Sequence, residues 1–340
     1  MIVAGERADW HWPIFPEVLC GQMTDRERLG LPDHFAPDRF SDRLPEAYDR
    51  LRGLDQDRLA GLCEDPSASL LDRLAAGGLL ALIGDPRLDP LRPAMVPVPG
   101  GRVEIGLADT ELDAVLERYA GLGLASAWIE KECPRHGVSL EPYALGRYPV
   151  TNGEYRAFLL ETRFAELPTS WAFRRYPQAL ANHPVYTVTP AAADAYAAWL
   201  SRKTGRSFRL PSEAEWEFAA AGPEGLEFPW GAAFDAERAN TAETGLFASS
   251  PVGVFVGGAS PFGAADMAGN VEEYVTDSYA PYPGGAFVAD HLTQIHGQYR
   301  VARGGSFARF RDLARTRRRH GANPNSATYA MGFRLAEDIG

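Results

Sequence analysis

Cysteine is scarce in this sequence: its 340 residues include only three, Cys20, Cys63 and Cys133. None of them forms a CxxC pair or lies near a histidine at the spacing of zinc ligands, so a cysteine-based zinc site is excluded. An odd number of cysteines also excludes a complete disulfide framework. We therefore expect the protein to work in a reducing compartment, the cytoplasm.

Long apolar runs are also absent. The best candidate, residues 74–83, is too short to cross a bilayer, which takes about 20 apolar residues. Residues 1–12 contain charged side chains and no apolar stretch typical of a signal peptide. The sequence thus predicts no membrane segment.

Basic residues are outnumbered, since 34 Lys and Arg stand against 45 Asp and Glu, a net charge of −11. Binding to nucleic-acid phosphates needs a basic surface, so we do not expect nucleic acid as a partner. The hydrophobic fraction of 45% is that of an ordinary globular protein. It is sufficient for a core that needs no disulfides.

The residues that are present divide the chain into two parts. Leucines recur at helical spacing within residues 44–79, and Gly84 and Pro86 end the last predicted helix. We predict a helical N-terminal arm or domain over residues 1–92, which could dock a partner or form a homodimer. In residues 93–340, short β-branched segments alternate with Gly and Pro, a pattern typical of hairpins and loops.

Three start signals predict helices in the middle of the second part. They are the capping boxes of Thr151 with Glu154 and of Ser212 with Glu215, and the pair Thr189-Pro190. After Gly222 regular patterns fade for more than a hundred residues. Because buried backbone groups in such a stretch still need partners, the pattern indicates bound metal.

Seven segments of the second part resemble the formylglycine-generating enzymes, also called sulfatase-modifying factors. They are RYPVTN from residue 147, HPV from 183, RLPSEAEWEF from 209, FPWG from 228, DMAGNVEEY from 266, RGGSF from 303 and GFR from 332. Seven segments in family order, over roughly residues 95–338, are specific for a fold. The resemblance implies an α+β fold with much irregular structure, a variant of the C-type lectin arrangement with bound calcium.

The resemblance also implies two structural Ca²⁺ sites. One would use Asp266, Gly269, Val271 and Glu273, and the other Asn240, Thr241, Glu243 and Gly245. Carboxylates and backbone carbonyls are hard oxygen ligands that suit calcium. In the alternative interpretation, Asp266 and Glu273 only cap turns.

The catalytic residues of the family's founding enzymes are missing. In those enzymes two copper-binding cysteines follow the Gly-Gly-Ser motif, and the matching positions, counted from Ser306, are Arg309 and Ala314. A guanidinium and a methyl group cannot replace thiolates that bind monovalent copper. Formylglycine synthesis by that mechanism is excluded, and no copper–thiolate site is expected. Glu272 also replaces the family's usual Trp, which makes the pocket beside Ser306 polar.

Residues 277–284 resemble a second branch, the iron-dependent sulfoxide synthases of ergothioneine biosynthesis. The HxxxH pair of that branch is absent here, so its iron ligands cannot be carried over. The candidate catalytic ligands that remain for Fe²⁺ are His291, His296 and His320, joined by Asp277 or Asp290. Two histidines and a carboxylate are the ligand set of a facial iron triad, but loop histidines more often serve only as hydrogen-bonding groups.

Eight arginines crowd into residues 300–319 of this acidic protein. In the family fold this stretch lines the substrate groove, and a guanidinium can hold a carboxylate or phosphate by two parallel hydrogen bonds. The residues predicted to bind an anionic substrate are Ser306, Arg309, Arg315 and Arg318. In the alternative interpretation, buried arginines tie loops to carbonyls and carboxylates.

These observations lead to two hypotheses about function. The first is a metal-dependent oxidoreductase of the non-haem iron type that acts on a small anionic metabolite or a peptide. The second is a non-catalytic, calcium-stabilised module that binds a ligand or a protein. The absent cysteines, the absent HxxxH pair and Glu272 favour the second, because a fold alone does not imply its chemistry.

Overall fold

Three helices form the N-terminal part of the computed structural model, which describes residues 39–122, 124–322 and 329–339 apart from the side chain of His291. They are α1 (Leu44–Leu51), α2 (Gln56–Cys63) and α3 (Leu70–Ile83). Asp55 caps α2 and Ser69 caps α3, each by accepting a hydrogen bond from a backbone N–H of the first turn. Residues 1–38 of the predicted arm, which include Cys20, lie outside the described residues.

The three helices share a hydrophobic core with the second part of the chain. Val254 and Phe255 pack into the cluster formed by the helices. Gly77 of α3 allows close contact, because a Cβ at this position would lie 2.5 Å from the Pro251 side chain. Asn182 donates to the Gly77 carbonyl at 2.9 Å. The arm is therefore packed against the second part, and the boundary at residue 92 stays a prediction.

Further helices follow in the second part. They are α4 (Leu112–Arg118), α5 (Ser126–Glu130), α6 (Asn152–Thr162), α7 (Pro190–Thr204), α8 (Glu213–Ala221) and α9 (His291–His296). The start signals are confirmed, because Thr151, Thr189 and Ser212 cap α6, α7 and α8. In the part of the chain that the structure describes, the helices lack the length and apolar character needed to cross a bilayer.

Short strands form three small sheets in the described residues. The strands are β1 (Met95–Val98), β2 (Gly101–Ile105), β3 (His136–Leu140), β4 (Tyr143–Gly146), β5 (Phe208–Arg209), β6 (Glu272–Ser278), β7 (Arg300–Arg303), β8 (His320–Gly321), β9 (Met331–Phe333) and β10 (Ala336–Asp338). The sheets have the orders β1-β4-β10-β5, β2-β3 and β8-β7-β6-β9, and only β6 with β9 is parallel. The predicted α+β fold with much irregular structure is confirmed.

An aromatic core joins α6 and α7 to the third sheet. Tyr155 and Phe158 of α6 have ring centroids 5.3 Å apart, and Tyr196 of α7 lies 5.4 Å from Phe333 of β9. All four side chains are at most 1% exposed. Their edge-to-face and tilted packing fixes the helices against the strands that carry the candidate site.

Buried arginines hold the irregular C-terminal loops. Arg303, Arg315 and Arg334 are fully buried, and each donates to at least one buried carboxylate. Arg303 also donates to the Thr316 carbonyl at 2.7 Å, and Arg334 to the Gly146 carbonyl at 2.9 Å. These guanidiniums satisfy the carbonyl of a loop residue, Thr316, and that of Gly146 at the end of β4.

Glu154→Gln is expected to remove a pH dependence of stability. Glu154 is 7% exposed, and its carboxylate accepts from the Thr151 N–H at 2.8 Å and the Thr151 hydroxyl at 2.7 Å. Burial raises the pKa of Glu154 to about 7, against these hydrogen bonds, which lower it. From its ordinary value of 4.5 up to about 7 the folded state binds more protons than the unfolded state, so stability falls as pH rises.

Glutamine keeps an oxygen acceptor for the cap and carries no charge. Between about pH 5 and pH 8, urea unfolding should show wild type losing about 2–3 kcal/mol that the Glu154→Gln variant does not lose. Glu46→Gln, in the first turn of α1 and exposed, is the matched control and should behave like wild type. Parallel pH profiles for wild type and Glu154→Gln would contradict the assignment.

Candidate functional site

An open groove of about 310 Å³ lies beside the turn that follows β7. Its lining residues are Tyr186, Ser306, Phe307, Ala308, Arg309, Tyr329 and Ala330. The turn requires glycine, because Gly304 and Gly305 have φ values of +95° and +67°. A Cβ on Gly305 would also lie 2.8 Å from the backbone carbonyl carbon of Leu313. The tight turn brings residues 306–309 to the wall of the groove.

Aromatic rings and one guanidinium form the walls. Tyr186 and Phe307 meet edge to face with ring centroids 5.5 Å apart. The Arg309 guanidinium lies 5.0 Å from the centroid of the Tyr329 ring, within the range of a cation–π contact. The groove can therefore contact an apolar or aromatic group and an anionic group at the same time.

A buried carboxylate, that of Glu272, lies next to this wall. Glu272 begins β6, is 1% exposed, and donates its N–H to the carbonyl of Ala330, which lines the groove, at 2.9 Å. Tyr274 of β6 pairs with Ala302 of β7, which in turn pairs with His320 of β8. Because alternate strand residues share a face, Glu272 lies on the same face as His320.

The carboxylate of Glu272 joins two cationic or titratable groups. One oxygen, Oε2, is hydrogen-bonded to Nδ1 of His320. The other, Oε1, lies 3.6 Å from Nε of Arg309 and has no hydrogen-bond partner in the described part of the chain. A buried carboxylate oxygen without a partner is uncommon, since leaving it unsatisfied costs free energy.

Environment sets the protonation states of this pair. Burial raises the pKa of Glu272, but its contact with His320, which is charged when protonated at low pH, and the charge of Arg309 outweigh burial and hold the pKa below its usual value. Burial and the nearby arginines lower the pKa of His320 despite the opposing effect of Glu272. At neutral pH the neutral imidazole therefore donates its Nδ1–H to Glu272, and Nε2 keeps its lone pair. Such an oriented imidazole can accept a proton or bind a metal ion.

Two of the predicted substrate-binding residues line the groove. Ser306 is 1% exposed and contributes to its wall, whereas the Arg309 side chain is 30% exposed. Arg309 therefore presents its charge to solvent and to any ligand in the groove.

The structure places the other two, Arg315 and Arg318, in the interior. Arg315 is fully buried and pairs with Glu132 at 3.0 Å and with Glu227 at 2.7 Å. Arg318 is 3% exposed and donates to the Trp128 carbonyl at 3.1 Å. Neither lines the groove, since their charges are directed to internal partners. For these two residues the alternative interpretation holds: they are buried arginines that tie loops to carbonyls and carboxylates.

No thiol is available near the groove in the described residues. Ala314, which matches the second catalytic cysteine of the family, is fully buried. Cys63 is buried among the N-terminal helices, and Cys133 is buried in the same hydrophobic cluster as Ala314. Neither lines the groove, and burial raises the pKa of each thiol to about 11. At neutral pH both thiols are therefore in the protonated form.

The two carboxylates predicted to join the iron ligands have other partners. Asp290 caps α9 and accepts from Lys131 at 2.9 Å, while Asp277 accepts from the N–H of Glu213 at 2.7 Å. His291 and His296 lie at the two ends of α9, and the side chain of His291 is outside the description. Within the described residues, no group of three His, Cys, Asp or Glu side chains could hold a metal ion. Iron bound by His291, His296 and His320 stays a prediction, because the side chain of His291 lies outside the described residues.

The first predicted calcium site has a competing cation. Both carboxylate oxygens of Glu273 accept from Arg334 at 2.6 Å, and Oε2 also accepts from the Trp216 indole at 2.7 Å. Asp266 accepts from the Gly253 N–H at 2.7 Å. Glu273 is already neutralised by a guanidinium, so it fits a divalent cation poorly. Calcium bound with Gly269 and Val271 stays a prediction.

The second predicted calcium site keeps one free acceptor. Glu243 accepts from the Thr241 hydroxyl at 2.8 Å and from the Arg311 N–H at 3.0 Å. It lies in a short 3-10 helix, Ala242–Thr244, which ends at Gly245. The side-chain oxygen of Asn240 is buried without a hydrogen-bond partner in the described residues. An amide oxygen of this kind suits a hard cation, and this site also stays a prediction.

Sequence reasoning missed the pairing of Glu272 with His320 and the aromatic walls. Glu272 was recognised as a departure from the family and His320 as a candidate ligand. They are 48 residues apart, and only the order β8-β7-β6 brings them together. Tyr186 and Tyr329 are single aromatic residues in loops, and no sequence signal distinguishes them from core aromatics.

The chain matches the family model described as "Sulfatase-modifying factor enzyme 1-like domain" over residues 84–339. Among solved structures, it is similar to PvdO from Pseudomonas aeruginosa, with a TM-score of 0.56 and 30% identity. That match covers 73% of this chain and 95% of PvdO.

Its relatives carry different names. It is 34% identical over 268 residues to the serine/threonine-protein kinase Pkn1 of Chlamydia trachomatis, covering 74% of this chain and 39% of the kinase. It is 30% identical over 278 residues to the hercynine oxygenase of Mycolicibacterium smegmatis, covering 71% of this chain and 60% of the oxygenase. It is 31% identical over 321 residues to the inactive C-alpha-formylglycine-generating enzyme 2 of Mus musculus, covering 77% of this chain and 92% of the mouse protein. The chain thus spans less than two thirds of the first two relatives, and what all three share is a domain.

Proposed function

Because the chain belongs to the family of sulfatase-modifying factor enzyme 1-like domains, we propose that it binds a small anionic metabolite or a peptide in the groove beside Arg309. It is not a formylglycine synthase, since no cysteine follows Cys133 and the two matching positions are Arg309 and Ala314. A binding function needs no thiolate, and it uses the charge that this chain has placed at the first of these positions.

The position of the Arg309 guanidinium is the observation that carries the proposal. It is partly exposed, lies over the ring of Tyr329, and has the Glu272 carboxylate 3.6 Å from its Nε. That distance is too long for a direct hydrogen bond, so its N–H groups remain available to a ligand. Glu272 holds the guanidinium by charge, and the ring supports its face.

Arg309→Gln is expected to weaken the binding of N-acetyl-L-phenylalanine by about tenfold or more. The probe carries an aromatic ring for the walls of Tyr186 and Phe307 and a carboxylate for Arg309. Loss of a charge-assisted hydrogen bond in a partly enclosed groove has an effect of this size. Isothermal titration calorimetry or chemical-shift titration measures the dissociation constant.

Two controls make the result specific. Arg52→Gln removes an arginine that is 73% exposed on the N-terminal helices and should leave binding unchanged. The neutral amide of the same probe should bind wild type and Arg309→Gln with equal, weaker affinity. Equal binding of carboxylate and amide to wild type, or no binding of either, would contradict the proposal.

Metal-dependent oxidation is the second candidate function, because the chain is similar to hercynine oxygenase. If iron is bound, His320 is the described histidine whose geometry best suits an iron ligand, because its hydrogen bond to Glu272 orients the ring and leaves Nε2 free. The remaining ligands are not supplied by the described residues. Oxygen consumption with stoichiometric iron in the purified protein would favour this candidate over simple binding.

We also propose that the protein binds structural calcium and that it works in the cytoplasm. The unpartnered oxygen of Asn240 supports calcium at the second site more than the contacts of Glu273 do at the first. The scarcity of cysteine supports the cytoplasm. Homodimer formation through the helical arm is a further expectation, which sedimentation would test.

A further inference from the structure

A strained and exposed loop, residues 172–175, stands out from the rest of the surface. Phe173 is 97% exposed, the highest value among the large hydrophobic side chains of the described residues. Phe173 and Arg174 are consecutive non-glycine residues with positive φ, +54° and +58°. Each costs free energy in this conformation, and nothing in the apolar core repays it, because the ring of Phe173 lies in solvent.

The loop is also a basic patch on an acidic protein. Arg174 and Arg175 are both exposed, and neither takes part in the ion pairs found among the described residues. Arg156, exposed on α6, lies over the ring of Tyr176 at 5.0 Å and adds a third positive charge. Since the whole chain carries a net charge of −11, unpaired cations beside an exposed aromatic ring select an acidic partner.

Hydrogen bonds connect the base of this loop to the wall of the groove. The N–H of Ser170 donates to the Thr187 hydroxyl at 2.7 Å, and the Ser170 hydroxyl donates to the Tyr186 carbonyl at 3.0 Å. Tyr186 lines the groove. Phe173 is three residues from Ser170, a reach of at most about 10 Å, whereas an extended peptide of five residues spans about 17 Å. One peptide can therefore contact the loop and the groove together.

We propose that the 172–175 loop is a docking arm for an acidic peptide whose end occupies the groove beside Arg309. The inference rests on the proposed function of the groove and narrows its ligand from an anionic compound to an acidic peptide. Arg174 and Arg175 contact the carboxylates of the peptide, and Phe173 packs on its apolar atoms. The left-handed backbone at two residues turns these side chains outward, which explains why the strain is retained.

The test uses a fluorescent, acetylated hexapeptide of five glutamates followed by a phenylalanine with a free carboxylate. We expect it to bind wild type at least about tenfold more tightly than a peptide with glutamine in place of glutamate. The double variant Arg174→Gln with Arg175→Gln should weaken the acidic peptide by about fivefold or more, the effect expected of two exposed charge pairs. The matched control is Arg52→Gln with Arg58→Gln, whose side chains are both 73% exposed.

A second variant separates recognition from folding. Phe173→Gly places glycine where φ is positive, so its melting temperature should equal or exceed that of wild type. Its affinity for the acidic peptide should nevertheless fall by about fivefold. Unchanged affinity in both loop variants would overturn the proposal.

The outcomes also separate this inference from the function on which it rests. Binding of N-acetyl-L-phenylalanine should be unaffected by the loop variants and weakened by about tenfold or more in Arg309→Gln. If that probe binds but glutamate and glutamine peptides bind alike, the docking arm is wrong and the groove stands. If the probe fails to bind while the acidic peptide still depends on the loop, the groove function is wrong. If the loop variants weaken binding to phosphatidylserine vesicles but do not change the affinity for the acidic peptide, the loop contacts a membrane and the docking-arm proposal is wrong.

Discussion

Replacing Glu213 with alanine is expected to lower the free energy of unfolding by about 3–5 kcal/mol. Glu213 is 4% exposed and accepts from Arg303 at 2.9 Å and from two nitrogens of Arg319 at 2.7 and 2.8 Å. Burial raises the pKa of Glu213, but the charges and hydrogen bonds of Arg319 and Arg303 outweigh it and hold the pKa below its usual value. Without this carboxylate, two buried guanidiniums lose the counter-charge that they share.

Urea unfolding at neutral pH measures this loss. Glu161→Ala is the control, because Glu161 is 47% exposed and its ion pair with Lys203 at 3.0 Å is on the surface. It should cost less than about 1 kcal/mol. Since the folded pKa of Glu213 is depressed, its contribution is present at neutral pH and should disappear as pH falls through the folded pKa. A similar loss in both variants would show that the buried network does not hold the loops.

Gly269→Ala is expected to have the second largest effect, a loss of about 3 kcal/mol. Gly269 has a φ of +81°, and a Cβ there would lie 2.4 Å from the backbone oxygen of Asn240. The next residue, Asn270, donates to that same oxygen at 2.7 Å and accepts from the N–H of Phe307, in the groove wall, at 3.0 Å. The backbone must therefore shift, and the shift reaches the groove.

Gly205→Ala is a control with matched backbone conformation. Gly205 ends α7 with a φ of +75°, and nothing lies within 4 Å of a Cβ built there. Only the conformational strain remains, so the expected cost is about 1 kcal/mol. The difference between the two variants in thermal or urea unfolding measures the steric conflict alone. Equal costs would mean that the contact with Asn240 relaxes freely.

Local signals predicted the helices of this protein well. The capping boxes at Thr151 and Ser212 depend on residues three positions apart, so the sequence contains every group that takes part. The absence of cysteine at the two positions that follow the Gly-Gly-Ser motif is likewise a property of the sequence, and it excludes the copper–thiolate pair of the family's founding enzymes. Two predicted groove residues could be found from this motif, because Ser306 belongs to it and Arg309 follows shortly after it.

The partners of charged residues were not predictable in the same way. Arg309 and Arg315 belong to one cluster in the sequence, yet the first faces the groove and the second is buried between Glu132 and Glu227. Glu132 is 183 residues from Arg315, so nothing in the local pattern identifies it.

The sequence by itself determined the helix starts, the glycine turn after β7, the family of the fold and the absence of the family's cysteine pair. These depend on neighbouring residues or on composition. Tertiary structure alone decided which arginine meets a ligand, that His320 pairs with Glu272, and that a strained loop adjoins the groove. A charge is directed inward or outward by whichever opposite charge the folded chain brings within a few ångströms, and that partner is set by strand order and loop path.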